Sequence, residues 1–213
     1  MKPIKLGPYS PKTANATEFN ASGLTSTGAA MVPTTTATSD GLAHQVTLVA
    51  PVQATLAGVT FTITGTDADG NPQTETGLVG PASGATVTST KYFKTVTSIQ
   101  PSATMGALVV SVGMAAPSLS PAFGLADKPT QASLSLVVTG TINATVRDTI
   151  ADGYNPTGTS SYPSTLPYTA ITALSAKTAD TDGQARMSAR RVQILTNSVT
   201  NGATATLWVG QAA

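Results

Sequence analysis

The sequence holds no cysteine, one histidine and one tryptophan among 213 residues, and charged residues make up only 10% of it. Without cysteine there is no disulfide, no thiolate metal site and no thiol nucleophile. A single histidine leaves little from which to build a multi-histidine metal centre or a histidine-dependent catalytic triad. Only two glutamates, Glu18 and Glu75, accompany a few aspartates that sit mostly in turn-like contexts, which argues against paired-carboxylate sugar hydrolysis. Glycine-rich phosphate loops are missing as well. The 11 basic and 10 acidic residues leave a net charge of +1, so neither nucleic acid nor an anionic membrane surface has an electrostatic footprint to meet. No apolar run reaches the roughly 20 residues of a membrane-spanning helix, and the first residues lack the apolar stretch of a secretory signal. The expectation is a chain assembled in a cytoplasm. Taken together, these shortages point away from an enzyme, with no cofactor and no metal, and toward a structural or binding protein.

What is present is threonine and serine, about a quarter of the residues, with 19 glycines, 14 prolines and 40% hydrophobic content. Threonine suits the solvent face of a pleated strand while glycine and proline punctuate turns, so the class is all-β. The length suits two small domains. Residues 1–40 carry only isolated apolar anchors, among them Tyr9 and Phe19. Such a stretch cannot offset its own ordering entropy, so it is read as an extended N-terminal arm held by the body or by a neighbouring subunit. Residues 41–113 form the first β domain. There Val59–Thr64 alternates apolar and threonine, Asp67–Pro72 makes a turn and Gln73–Val79 returns as the second strand of a hairpin. Thr86–Ile99 reads as a further strand, and Ala107–Val112 closes the domain. Residues 114–131, with three prolines, read as a linker. In the second domain, 132–213, Leu134 and Leu136 alternate with Ser133 and Ser135, and Ile142, Ala144 and Val146 follow with the same period. A long loop over 151–168 carries Tyr154, Tyr162 and Tyr168, and a terminal hairpin joins Arg190–Leu195 to Ala203–Val209. The predicted architecture is two small antiparallel β-sandwich or jelly-roll-like domains behind the arm.

The candidate chemistry is thin. Asp67, Asp69 and Asn71 offer oxygen ligands, but Gly70 stands fourth and no glutamate follows at the twelfth position of a calcium loop, so a tight turn is the better reading. Asp180–Gly183 reads as a similar turn. His44, with Asp40 as its nearest carboxylate in sequence, reads as solvent-facing or locally hydrogen-bonded. Two clusters remain as candidate protein interfaces: Lys91, Tyr92, Phe93 and Lys94, and Arg186, Arg190 and Arg191. Arginine and tyrosine are enriched at such surfaces. Trp208 falls on the strand face opposite Leu207 and Val209 and joins this set, as do Tyr9 and Phe19 of the arm.

From Gly65 through Pro81, continuing over Thr86–Ile99, the order of a Gly-Thr-Asp hairpin, a Thr-Glu-Thr strand and a Lys-Tyr-Phe-Lys-Thr-Val strand resembles a module of tailed-bacteriophage virion structural proteins. The second half is similar to such proteins at Val138–Asp148, at Ala189–Ile194 and at the closing Ala203–Gln211. The resemblance implies a homo-oligomeric virion component, a head decoration or head-to-tail collar subunit, whose partners are its own copies and major capsid or portal-vertex proteins. It brings no catalytic residues. On this view the arm makes the particle contacts, and removing residues 1–40 should leave a soluble β protein that no longer incorporates. A rival reading is a carbohydrate- or receptor-binding β-sandwich of a tail or fibre, for which Tyr154, Tyr162, Tyr168 and Trp208 would supply the aromatics.

Overall fold

The computed structural model describes residues 3–52, 55–125, 132–149, 168–185 and 189–211. The chain opens with β1 (Ile4–Tyr9) and continues through β2 (Asn15–Leu24), β3 (Ala43–Val49), β4 (Thr60–Thr66), β5 (Pro72–Val79), β6 (Thr86–Phe93), β7 (Thr95–Pro101) and β8 (Val110–Leu119). Then come β9 (Phe123–Gly124), β10 (Ala132–Thr139), β11 (Ile142–Thr149), β12 (Thr169–Ala170), β13 (Thr181–Gln184), β14 (Arg191–Val199) and β15 (Thr204–Gln211). Among the described residues the sole helical element is one 3-10 turn, Thr172–Leu174. The fold is all-β and sandwich-like, and it divides into two compact units.

One unit is Thr13–Ser118. Its strands form a β8-β3-β6 layer, with β2 added on β8, and a second layer β5-β4-β7. Phe19, Leu48, Phe61, Ile63, Phe93, Val96 and Ile99 meet in the core between them. The predicted hairpin forms as β4–β5, with Ile63 opposite Glu75 and Thr64 opposite Thr74. Its turn is closed by the Asp67 carboxylate, which accepts hydrogen bonds from the amides of Asp69 and Asn71, each 2.9 Å long. Further along, Thr62 faces both Thr76 and Gly77, a bulge that Gly77 accommodates at φ +75°.

The predicted single strand Thr86–Ile99 is in fact two, β6 and β7, which break at Lys94 and enter different layers. Phe93 and Val96 are both fully buried in the same core. Residues three apart on one strand point to opposite faces, so both can face the core only if the chain changes layer between them.

Of the two ways residues 1–40 could be held, by the body or by a neighbouring subunit, the structure shows the first, and the stretch is divided between the two units rather than forming a separate arm. In the unit just described, Phe19 lies in the core, Met31 pairs with Ile99 through both backbone bonds, and Val96 N–H donates to Thr36 O. β1 belongs instead to the other unit, which comprises Met1–Lys12 and Leu119–Ala213. The stretch supplies few apolar groups; Phe19 and Met31 are buried in the core, while Ile4 and Val32 are exposed.

In that second unit one layer has the order β1-β15-β10-β13, and β12-β11-β14 with β9 on β14 faces it. Leu134, Leu136, Leu207 and Val209 from one layer meet Ile142, Val146, Val192 and Ile194 from the other. Three sequence expectations are corrected here. The predicted linker 114–131 is strand as far as Leu119, and Phe123 and Gly124 pair with Val192 and Arg191; its residues 126–131 lie outside the described residues. The predicted terminal hairpin does not form, because β14 pairs with β11 whereas β15 pairs with β1 and β10. Both strands turn their apolar side chains into one core from opposite layers, which an arch permits and a hairpin does not. Finally, Asp180–Gly183 is no turn: Thr181–Gln184 is the edge strand β13, and Asp180 Oδ1 accepts the Val138 amide at 2.8 Å.

Gly183 has a packing reason. A Cβ there would stand 2.7 Å from Cγ of the fully buried Leu174. Gly183→Ala is expected to push Leu174 off its rotamer and cost about 1–3 kcal/mol. A lowered urea midpoint at unchanged slope would register it, and an unchanged midpoint would refute it.

Candidate functional site

Alternation along β10 and β15 sets the polar face of the β1-β15-β10-β13 layer. With Leu134, Leu136, Leu207 and Val209 turned into the core, Ser133, Ser135 and Trp208 are turned outward. Register then builds a row across four strands: Lys5 opposite Trp208, Trp208 opposite Ser135, and Ser135 opposite Asp182. The neighbouring row is Gly210, Ser133 and Gln184. Lys5 apart, these residues line a groove of about 1000 Å³ together with Pro3 and residues 171–173 at the β13 edge.

Trp208 is half-buried, and Lys5 Nζ stands 5.5 Å from its ring centroid, within cation–π range. Ser133, Asp182 and Gln184 are exposed and Ser135 is half-buried. None of these four makes a side-chain hydrogen bond among the described residues.

The other sequence candidates are placed differently. Phe19 and Phe93 are fully buried, so neither is an interface residue; each fills the core of its unit because an aromatic ring buries more apolar surface there than on a rim. Tyr9 packs half-buried against the core of the other unit, and burial pushes its phenol above its ordinary pKa. Lys91 and Lys94 are half-buried, and Lys91 Nζ donates to Thr74 O at 2.6 Å. Tyr92 is half-buried and its carbonyl accepts from Gln73 Nε2 at 2.7 Å. Beside them the buried Glu75 carboxylate accepts the amides of Thr90 and Lys91, each at 2.8 Å. A second, smaller groove of about 570 Å³ runs along β5 and β6 there.

Arg190 and Arg191 are half-buried where β14 begins, and the Arg190 amide donates to Thr149 O; Arg186 lies outside the described residues. Of the three loop tyrosines only Tyr168 is described, and its ring lies under the Arg147 guanidinium at 4.9 Å rather than beside Trp208.

His44 is fully buried and hydrogen-bonded, not solvent-facing. Its Nδ1 lies 2.8 Å from Ala115 O and its Nε2 lies 2.8 Å from Asp40 Oδ2. Asp40 also accepts the Leu42 amide. The pair braces the start of β3. Among the described residues no three His, Cys, Asp or Glu side chains gather as metal ligands would.

Sequence reasoning thus reached Trp208 and the alternation of β10, but missed the partners Lys5, Asp182 and Gln184. The signal for them is long-range register, since β1, β10, β13 and β15 are far apart in the chain. Comparison with protein families, with curated proteins and with solved structures finds no match to this chain.

Proposed function

We propose that this chain is a non-enzymatic structural subunit of a tailed-phage particle, a head decoration or head-to-tail collar protein. It acts by holding copies of itself and neighbouring capsid or portal-vertex proteins. The observation that carries this reading is where the carboxylates are used. Glu18 accepts the Ser39 amide, Asp40 that of Leu42, Asp67 those of Asp69 and Asn71, Glu75 those of Thr90 and Lys91, and Asp180 that of Val138. Acid groups bound to main-chain amides stiffen loops and strand edges instead of meeting a substrate. A subunit that bears mechanical load needs that stiffness.

The sequence resemblance supplies the particle, since the similar stretch Gly65–Ile99 is the part that Glu75 braces. Val32, Val52 and Val79 are 66%, 81% and 55% exposed, and they offer apolar contacts for a neighbouring subunit to cover.

Quantitative mass spectrometry of gradient-purified particles from the lysate that expresses this gene tests the reading. The chain is expected in fixed ratio to the capsid or to the portal protein, and the ratio separates decoration from collar. Particles that lack it while it remains free in the lysate would overturn the proposal.

A further inference from the structure

The Trp208 groove breaks the pattern of polar side chains spent on this chain's own backbone. Ser133, Ser135, Asp182 and Gln184 line it without a side-chain hydrogen bond among the described residues, and all four lie on two adjacent strands. Their donors and acceptors point at solvent in one place, around one flat aromatic ring.

The ring itself is half committed. Lys5 Nζ stands over the indole but does not line the groove. The ammonium therefore takes the β1 side of Trp208 and leaves the β10 side to the groove. Beyond Trp208 on the same face comes Gly210, which adds no side chain to the floor. The result is a shelf with an aromatic wall and a rim of hydroxyl, amide and carboxylate groups.

Charge narrows the ligand. Among the described residues no lysine or arginine lines the groove, and its one ionisable lining group is the Asp182 carboxylate, which repels phosphates and acidic sugars. A neutral saccharide fits: a pyranose presents an apolar C–H face to an indole and hydroxyls that both donate and accept. Sites for such ligands combine apolar surface with a few convergent polar groups, and the volume falls in the usual range.

We propose that this groove binds a neutral saccharide. Trp208 stacks on the ring face, the Asp182 carboxylate accepts from sugar hydroxyls, and Gln184, Ser133 and Ser135 complete the rim. The site needs no particle to act, so it stands or falls apart from the structural role proposed above.

Trp208 is the only tryptophan in the chain, so its fluorescence reports on the groove directly. The full chain would be probed with an array of neutral oligosaccharides built from glucose, galactose, mannose and N-acetylhexosamines, with sialylated counterparts as controls. Hits would then be titrated by fluorescence.

The expected result is a saturable fluorescence change with neutral sugars. Asp182→Asn, at an exposed position that leaves folding intact, is expected to weaken affinity about tenfold, the size of a lost charge-assisted hydrogen bond. Trp208→Ala is expected to abolish array binding while keeping a cooperative urea transition. Failure of every neutral sugar to move the fluorescence would overturn the proposal, as would a preference for the sialylated set. So would undiminished binding by both variants.

Discussion

Removing residues 1–40 is expected to leave no folded protein. The stretch contributes Phe19, fully buried, and Met31, whose two backbone bonds to Ile99 extend the β5-β4-β7 layer. It also contributes β1, whose Ile4, Lys5 and Leu6 pair with Val209, Trp208 and Leu207. Truncation would therefore open both units, one at its core and one at a sheet edge. Phe19→Ala alone should cost about 3–5 kcal/mol, the usual loss for a buried phenylalanine. A domain stable by about 5–15 kcal/mol loses a large part of its margin to that one change. Urea unfolding followed by far-UV circular dichroism would measure both variants. A truncated chain that still unfolded cooperatively would show that residues 1–40 are dispensable, as an arm would be. For the same reason a failure of this truncation to enter particles would say nothing about particle contacts.

Glu75→Ala is the second change with a large expected effect, a loss of about 3 kcal/mol or more. The side chain is buried opposite Ile63 on β5 and reaches across to β6, where it accepts the amides of Thr90 and Lys91. Each hydrogen bond to a charged group is worth about 1.5–3 kcal/mol, and its loss leaves a donor without a partner. The β6 backbone is irregular at this place: its pairing with β3 shifts register between Gln45 and Thr47, and Ser89 Oγ takes up the Val46 amide at 2.7 Å. The carboxylate stands in for the ladder that the irregularity interrupts. Glu75→Gln keeps one acceptor but turns an N–H donor toward the other amide, so it should restore less than half of the loss. Beyond the urea midpoint, hydrogen exchange gives a local readout, with the Thr90 and Lys91 amides exchanging faster than the rest of β6. Equal protection in the variant would show that Glu75 is not what holds them.

How much of this was legible in the sequence varies with the range of the interaction. The β4–β5 hairpin could be read because its alternation and its Asp67–Pro72 turn lie within twenty residues. The outward placement of Trp208 could be read because alternation decides it locally. The break at Lys94 was concealed, since a strand and an arch share the same threonine-rich alternation until one knows that Phe93 and Val96 face one core. The 190–209 arch was concealed in the same way, its Asn-Gly signal marking a turn without saying whether the strands on either side pair. Phe19 and Phe93 looked like surface aromatics because threonine, lysine and asparagine surround them, while their burial depends on strands distant in the chain.

By itself, then, the sequence determined the class and the alphabet of this protein: many short strands, few charges, no thiols, and an alternation that assigns each strand a wet and a dry face. Those features rest on covalent geometry and on the two-residue period of a strand, which act between near neighbours. Only the tertiary structure decided which strands share a layer, that the first forty residues are built into both units, and that Lys5, Ser135, Asp182 and Trp208 stand in one row. Register between distant strands is chosen by which apolar faces can close on a common core. That choice belongs to the whole chain, and no local stretch carries it.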